Sequence, residues 1–352
     1  MLWGLSDGAL AALAGLAGGI VLGLAARLGR FCTLGAIEDM LYGDDDRRMR
    51  MWALAIAVAI AGRFALVGSD RLDPSATLYG ILAWSPMASI VGGLTFGYGM
   101  ALAGNCGYGA LARLGGGDLR ALMIVLVMGV AAYMAVAGPT AVLRVWIFPP
   151  MAAEGDRFSG IAHWLGGKTG LSPGTFAYLI AAGLAVLALS KQSFRGSISM
   201  CMWAIAVGLA IVSGWAATSF VATNGFDGIS IASHTFSAPV GETLLYIMTS
   251  SGGGLSFGIG SVCGVILGAF VGCLIRGHFR WEACEDPGEL RRQLLGAFLM
   301  GTGAVTALGC SVGQGLSAFS LLCFSAPVVF VSILAGAAIG LRQLIHGWSP
   351  AE

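Results

Sequence analysis

Charge is scarce in this sequence. Only 11% of its 352 residues are Asp, Glu, Lys or Arg, against 57% hydrophobic. A soluble core of this size needs far more polar cover, so a soluble globular protein is excluded. Carboxylates are rarest where a cation carrier would place them, within the apolar runs. The net charge of +1 says nothing about nucleic acid, since the basic residues sit at helix ends, as topology markers do. No CxxC occurs among the 8 cysteines, which removes the usual signature of zinc sites and dithiol redox chemistry. No short basic segment or small-residue cleavage site precedes the first apolar run, so that run is expected to remain as a helix rather than leave as a signal peptide.

Long apolar runs are abundant. Those near residues 10–28, 51–67, 81–103, 119–143, 175–189, 202–222, 255–275, 294–308 and 326–344 read as about nine spanning helices. The expected fold is therefore an all-α polytopic membrane protein. With the N-terminus outside, fourteen of the 19 basic residues fall at inner helix ends. Only Arg71, Arg144, Arg157 and Lys168 lie outside, and Arg63 falls within a span. That asymmetry predicts a periplasmic N-terminus and a cytoplasmic C-terminus. The polar stretch 149–174 cannot span and is expected to hold short interfacial helices or funnel walls.

The chain also repeats itself. Gly97, Gly99, Cys106 and Gly109 give G-x-G-x6-C-x2-G, and Gly301, Gly303, Cys310 and Gly313 give it again 204 positions later. Upstream, "FCTLG" from Phe31 is echoed by "FSAPVG" from Phe236, an offset of 205, which pairs Cys32 with Ser237. The spans before Cys106 and Cys310 run in opposite directions, so the two halves are inverted, an arrangement that places transport sites at broken helices near the midplane. We divide the chain into a first half (1–145), an outer connection with a linking helix (146–200) and a second half (201–352).

Glycine inside a helix costs roughly 1 kcal/mol relative to alanine, so "GNCGYG" and "LGCSVGQG" are predicted to break it. Such backbone is tolerated at membrane depth only where it lines a polar path. Gly104, Asn105, Gly107, Gly309 and Ser311 would then supply amides and polar groups beside the thiols of Cys106 and Cys310. Cys32 would reach the same path from the inner side, with Ser237 a weaker fourth contact. Amide-rich helix starts favour anions, and neutral thiols suit a soft partner such as the terminal sulfur of a sulfur oxyanion.

At these residues the sequence resembles the YeeE/YedE membrane proteins, the sulfur-transport family. The likeness runs from "GLAARLGRFC" through "FGYGMALAGNCGYGALARLG" to "GTGAVTALGCSVGQG". It implies a bacterial inner-membrane importer of thiosulfate or a related sulfur anion, with short re-entrant helices and two inverted halves. It further implies that Cys32, Cys106 and Cys310 pass the ion by S–H hydrogen bonds, with no cofactor and no enzymatic step. A small cytoplasmic sulfur-carrier protein is an implied partner besides membrane lipid.

Other readings stand beside this one. A membrane thiol or persulfide relay would use the same cysteines covalently. A carrier of another sulfur or selenium species, or of a soft metal, would use them as ligands. Arg63 either snorkels to the outer interface or attracts anions. His234 is a further candidate for anion attraction, with a solvated loop position as its plainer role. Glu38 and Glu242 are expected to accept amides at the re-entrant turns. Cys201, Cys263, Cys273 and Cys323 are expected as core filler, and Cys284 as a loop thiol.

Overall fold

The computed structural model describes residues 6–81, 84–149, 160–283 and 286–347, so Cys284 lies outside the described residues. The chain begins with α1 (Asp7–Arg27), α2 (Thr33–Tyr42), α3 (Arg47–Gly68) and the single turn α4 (Leu78–Ile81). It continues through α5 (Pro86–Ala103), α6 (Gly107–Gly115), α7 (Leu119–Ala137) and α8 (Pro139–Ile147). A connecting stretch carries α9 (Ile161–Thr169), followed by α10 (Pro173–Leu189) and α11 (Gln192–Arg195). Then come α12 (Ile198–Asn224), α13 (Ser237–Thr249), α14 (Phe257–Arg276), α15 (Pro287–Thr306) and α16 (Ser325–His346). Between α15 and α16, residues 311–320 form a further helical piece whose centre, Gly313–Ala318, is π-helical. The π form recurs at functional sites.

Helix starts follow local chemistry. Ser6, Ser85, Ser172 and Ser256 cap α1, α5, α10 and α14, each side-chain oxygen accepting a backbone N–H of the first turn. Proline opens α5 and α10, where its missing N–H costs nothing.

Among the described residues, seven helical stretches are long and apolar enough to cross a membrane: α1, α3, α5 with α6, α7, α12, α14 and α16. The protein is an all-α, multi-pass membrane protein. The other two expected spans are helical as well. α10 is apolar but has only 17 residues, about 26 Å at 1.5 Å per residue. α15 has 20, with Glu289, Arg291 and Arg292 in its first turns. The run 119–143 is divided at Gly138, because Pro139 starts a new helix, and the run expected from residue 81 begins as α5 at Pro86.

With apolar surroundings on both sides, helices associate through close backbone packing rather than hydrophobic exclusion. α1 lies along α14, with Gly15, Gly19 and Gly23 set against Gly260, Gly264 and Gly268. A Cβ on Gly264 would fall 2.3 Å from the Leu16 carbonyl oxygen. α12 lies on α3, α5 on α16, α15 on α7, and α5 meets α15. In sequence, α1, α3, α5 and α7 precede α12, α14, α15 and α16 by about the repeat offset. Exchanging the two sets carries α1–α14 into α12–α3, and α5–α16 into α15–α7.

Candidate functional site

The G-x-G part of the repeated motif is packing. A Cβ on Gly97 would lie 2.1 Å from the Ile333 oxygen of α16, and one on Gly301 2.5 Å from the Met128 oxygen of α7. Gly99 and Gly303 likewise face α15 and α5. These contacts hold α5 and α15 together just before each breaks.

The cysteine part is capping. α5 ends at Ala103, Gly104 turns left-handed at φ +73°, and Cys106 is extended as the N-cap of α6. The Cys106 sulfur accepts the Gly109 N–H at 3.3 Å. In the second half Leu308 takes the left-handed turn at φ +58°, and the Cys310 sulfur accepts the Gly313 N–H at 3.4 Å. The final glycine of each motif is therefore the donor to the capping thiol. Gln314 completes the second break by donating to the carbonyls of Ala307 and Leu308 at 3.0 and 3.1 Å.

The two breaks meet the "FC" and "FS" segments. Cys32 is the N-cap of α2, and its side chain lies within interaction range of Cys106. The Cys310 sulfur accepts the Phe236 N–H at 3.4 Å, with the Thr235 hydroxyl at 3.6 Å, at the start of α13. Cys310 is in turn close enough to Cys106 to act on it electrostatically. The Tyr108 ring of α6 lies 5.4 Å from the Phe236 ring and joins the halves. The Tyr108 hydroxyl donates to the Leu22 carbonyl of α1. Four helix starts, those of α2, α6, α13 and the 311–320 piece, thus converge on three thiols. Cys106 and Cys310 are buried and Cys32 is half-buried. Each start presents about half a positive elementary charge.

The predicted neighbours are there too. Asn105, Ser237 and Ser311 are buried beside the thiols. Gly107 packs on Met128 of α7, and Gly309 lies beside Gln314 and Tyr79. Among the described residues, Asn105 Oδ1, Ser237 Oγ, Ser311 Oγ and Thr33 Oγ1 are buried without a hydrogen-bond partner. Buried polar groups are rarely left so; here three of them flank the cysteines, and the fourth, Ser237, is the repeat counterpart of Cys32.

Other expectations need correcting. Arg63 does not snorkel: its side chain is fully buried, with the guanidinium 4.5 Å over the Phe64 ring. His234 is no solvated loop residue. It is buried, with Nδ1 2.6 Å from Ser261 Oγ and its ring 4.9 Å from Phe257. Among the described residues, no backbone amide donates to Glu38 or Glu242; Glu38 lies exposed on α2 instead. Cys273 and Cys323 are buried, whereas Cys201 and Cys263 are half-buried.

Sequence reasoning missed Tyr79, Tyr108, Thr33 and Gln314. Tyr79 sits on the one-turn α4, and its hydroxyl donates to the Gly313 carbonyl at 3.2 Å beside the second break. No spacing marks a residue that arrives from a distant loop. Thr33 was legible as the neighbour of Cys32, but nothing in its position distinguishes a buried hydroxyl from a helix-start one.

Comparison with known proteins places the chain among relatives. The chain is 27% identical to the thiosulfate transporter TsuA of Spirochaeta thermophila over 330 residues, 92% of this chain and 96% of that protein. It is 27% identical to TsuA of Escherichia coli over 347 residues, 92% of each. The profile of the family described as Sulphur transport matches residues 28–339, a stretch that takes in Cys32, both glycine-cysteine breaks and all four converging helix starts. The chain therefore belongs to the sulphur transport family.

Proposed function

We propose that this protein imports thiosulfate, or a close relative with a terminal soft sulfur, through the bacterial inner membrane. One observation carries the reading: Cys32, Cys106 and Cys310 come together where four helix starts converge. The helix starts offer positive potential to a dianion without a permanent counter-charge that would trap it. Thiols hydrogen-bond the terminal sulfur, while the hydroxyls of Thr33, Ser237 and Ser311 are placed to serve the oxygens. Together they replace hydration whose loss would otherwise cost tens of kcal/mol by a Born estimate. Cys310 receives the ion from the outer side, Cys106 holds it centrally and Cys32 releases it inward. The two similar relatives, both thiosulfate transporters by name, support the choice of substrate.

The same reading takes the chain as two inverted halves with the N-terminus outside. It is supported by the offset of 204–205 and by the exchange symmetry of the helix contacts. The basic inner face is where a small cytoplasmic sulfur-carrier protein would dock. Membrane lipid surrounds the whole.

Uptake of radiolabelled thiosulfate by proteoliposomes tests the proposal. Cys106→Ala and Cys310→Ala are expected to lose at least about 90% of uptake, more than 1.4 kcal/mol of stabilisation along the path, while remaining folded. Undiminished uptake by Cys106→Ala overturns it. Intact mass after exposure to thiosulfate distinguishes a hydrogen-bond relay, which leaves the protein mass unchanged, from a covalent one that retains sulfur on Cys310.

A further inference from the structure

Among the three central thiols, Cys106 and Cys310 each accept an amide of their own helix's first turn. Cys32 is also an N-cap, that of the 10-residue α2, yet no side chain caps this start. An uncapped first turn keeps amide donors for an anion. Thr33, the first residue of α2, is 1% exposed, and its hydroxyl has no partner among the described residues.

A cation stands over the same start. Arg48, the second residue of α3, reaches back across the turn that follows α2. A Cβ on Gly35 would lie 2.4 Å from Arg48 Nη1 and 3.8 Å from the Cys32 Cβ. The guanidinium and the Cys32 side chain therefore meet across Gly35. Asp39 pairs with Arg48 through Nε at 3.2 Å. Among the described residues no hydrogen bond occupies the two Nη groups. The Arg48 side chain is 24% exposed, so the guanidinium opens to water as well as to the thiol.

The second half of the chain is built otherwise. There Ser237 and Ala238 follow Phe236 where Cys32 and Thr33 follow Phe31. Gly241, the echo of Gly35, packs on α7, and a Cβ on it would fall 2.6 Å from the Gly129 carbonyl oxygen. The first half thus keeps its glycine clear for a guanidinium, and the second for a helix.

We propose that Arg48 and the uncapped start of α2 form a release subsite at the inner end of the cysteine path. Arg48 takes the oxygens of a soft sulfur oxyanion through the free part of its planar fork, while Cys32 holds the terminal sulfur. Asp39 offsets the charge and the site is wet, so the ion is held weakly enough to leave. This deepens the import reading above and rests on it.

The test is protection of Cys32 by thiosulfate in the purified full chain. Alkylation of Cys32 by N-ethylmaleimide is read by peptide mass spectrometry, each variant normalised to its own rate without thiosulfate. Thiosulfate is expected to slow the wild-type reaction. Arg48→Gln should raise the half-protecting concentration about tenfold, as loss of a charged hydrogen bond does, and Arg48→Lys should recover part of the shift. Gly35→Ala should raise it as well, because the new Cβ displaces the guanidinium, although alanine is the better helix former. No protection in the wild type overturns the subsite, as does unchanged half-protection in a folded Arg48→Gln protein. Should Arg48→Gln fail to fold, Gly35→Ala decides, and an unchanged value there overturns it. Uptake by Cys106→Ala, measured in parallel, separates the levels. If that variant loses uptake while thiosulfate leaves Cys32 unprotected, only the release subsite falls. If it transports normally, the import reading falls beneath it.

Discussion

At Leu308 a branched side chain occupies a left-handed backbone turn, φ +58°, which costs an L-residue roughly 1–2 kcal/mol. Its repeat counterpart is Gly104, φ +73°, which adopts that conformation freely. The two positions make opposite predictions for thermal unfolding in detergent. Leu308→Gly is expected to stabilise by about 1 kcal/mol, reduced by whatever packing the leucine gives up. Gly104→Ala is expected to destabilise by about 1 kcal/mol, with strain as the sole cause, since a Cβ there meets nothing within 4 Å. A third test concerns Gln314, whose amide ties two carbonyls of the same break. Gln314→Leu strands them and should cost about 1–3 kcal/mol, read as a drop in melting temperature together with loss of uptake.

Among the elements, the breaks matter because the helices before them are clamped. α5 and α15 cross their neighbours at glycines where a Cβ would meet backbone, not a movable side chain. Gly97→Ala is therefore expected to push α5 off α16 and lower melting by several degrees, more than Gly109→Ala, whose Cβ would have no contact closer than 3.4 Å. Equal effects of the two would argue against the clamp. The short helices are latched as well. Arg27 Nε and Nη2 donate to the Ala112 and Arg113 carbonyls at 3.1 and 3.2 Å, capping the C-terminal end of α6, where a cation is favoured. Arg27→Gln should loosen α6 by about 1 kcal/mol and reduce uptake without touching a thiol.

For the whole molecule, the distribution of basic side chains predicts orientation. Reporter fusions at the C-terminus should give a cytoplasmic signal, and fusions within the outer stretch around α9 a periplasmic one; the reverse pattern would refute the orientation and with it the direction of the cysteine path. Length and hydropathy alone made the all-α membrane class legible, because an apolar run of about 20 residues matches a spanning helix, whereas a barrel strand needs only about 10. The two breaks were legible from glycine spacing, and so was the placement of cysteines at them. What spacing could not distinguish is which glycine serves which purpose, since packing and capping select the same residue for different reasons. Nor did it reveal that Arg63 is buried, because a snorkelling arginine and a buried one occupy the same position along a helix. Tyr79 became a neighbour of Cys310 only through the fold, since its contact with Gly313 spans 234 positions. Composition and local pattern determined that the chain crosses the membrane and where its two glycine-cysteine breaks fall. Tertiary structure decided that four helix starts, far apart in sequence, point their amides and thiols at one another, because the helices of each half pack on those of the other, α1 on α14 and α5 on both α15 and α16.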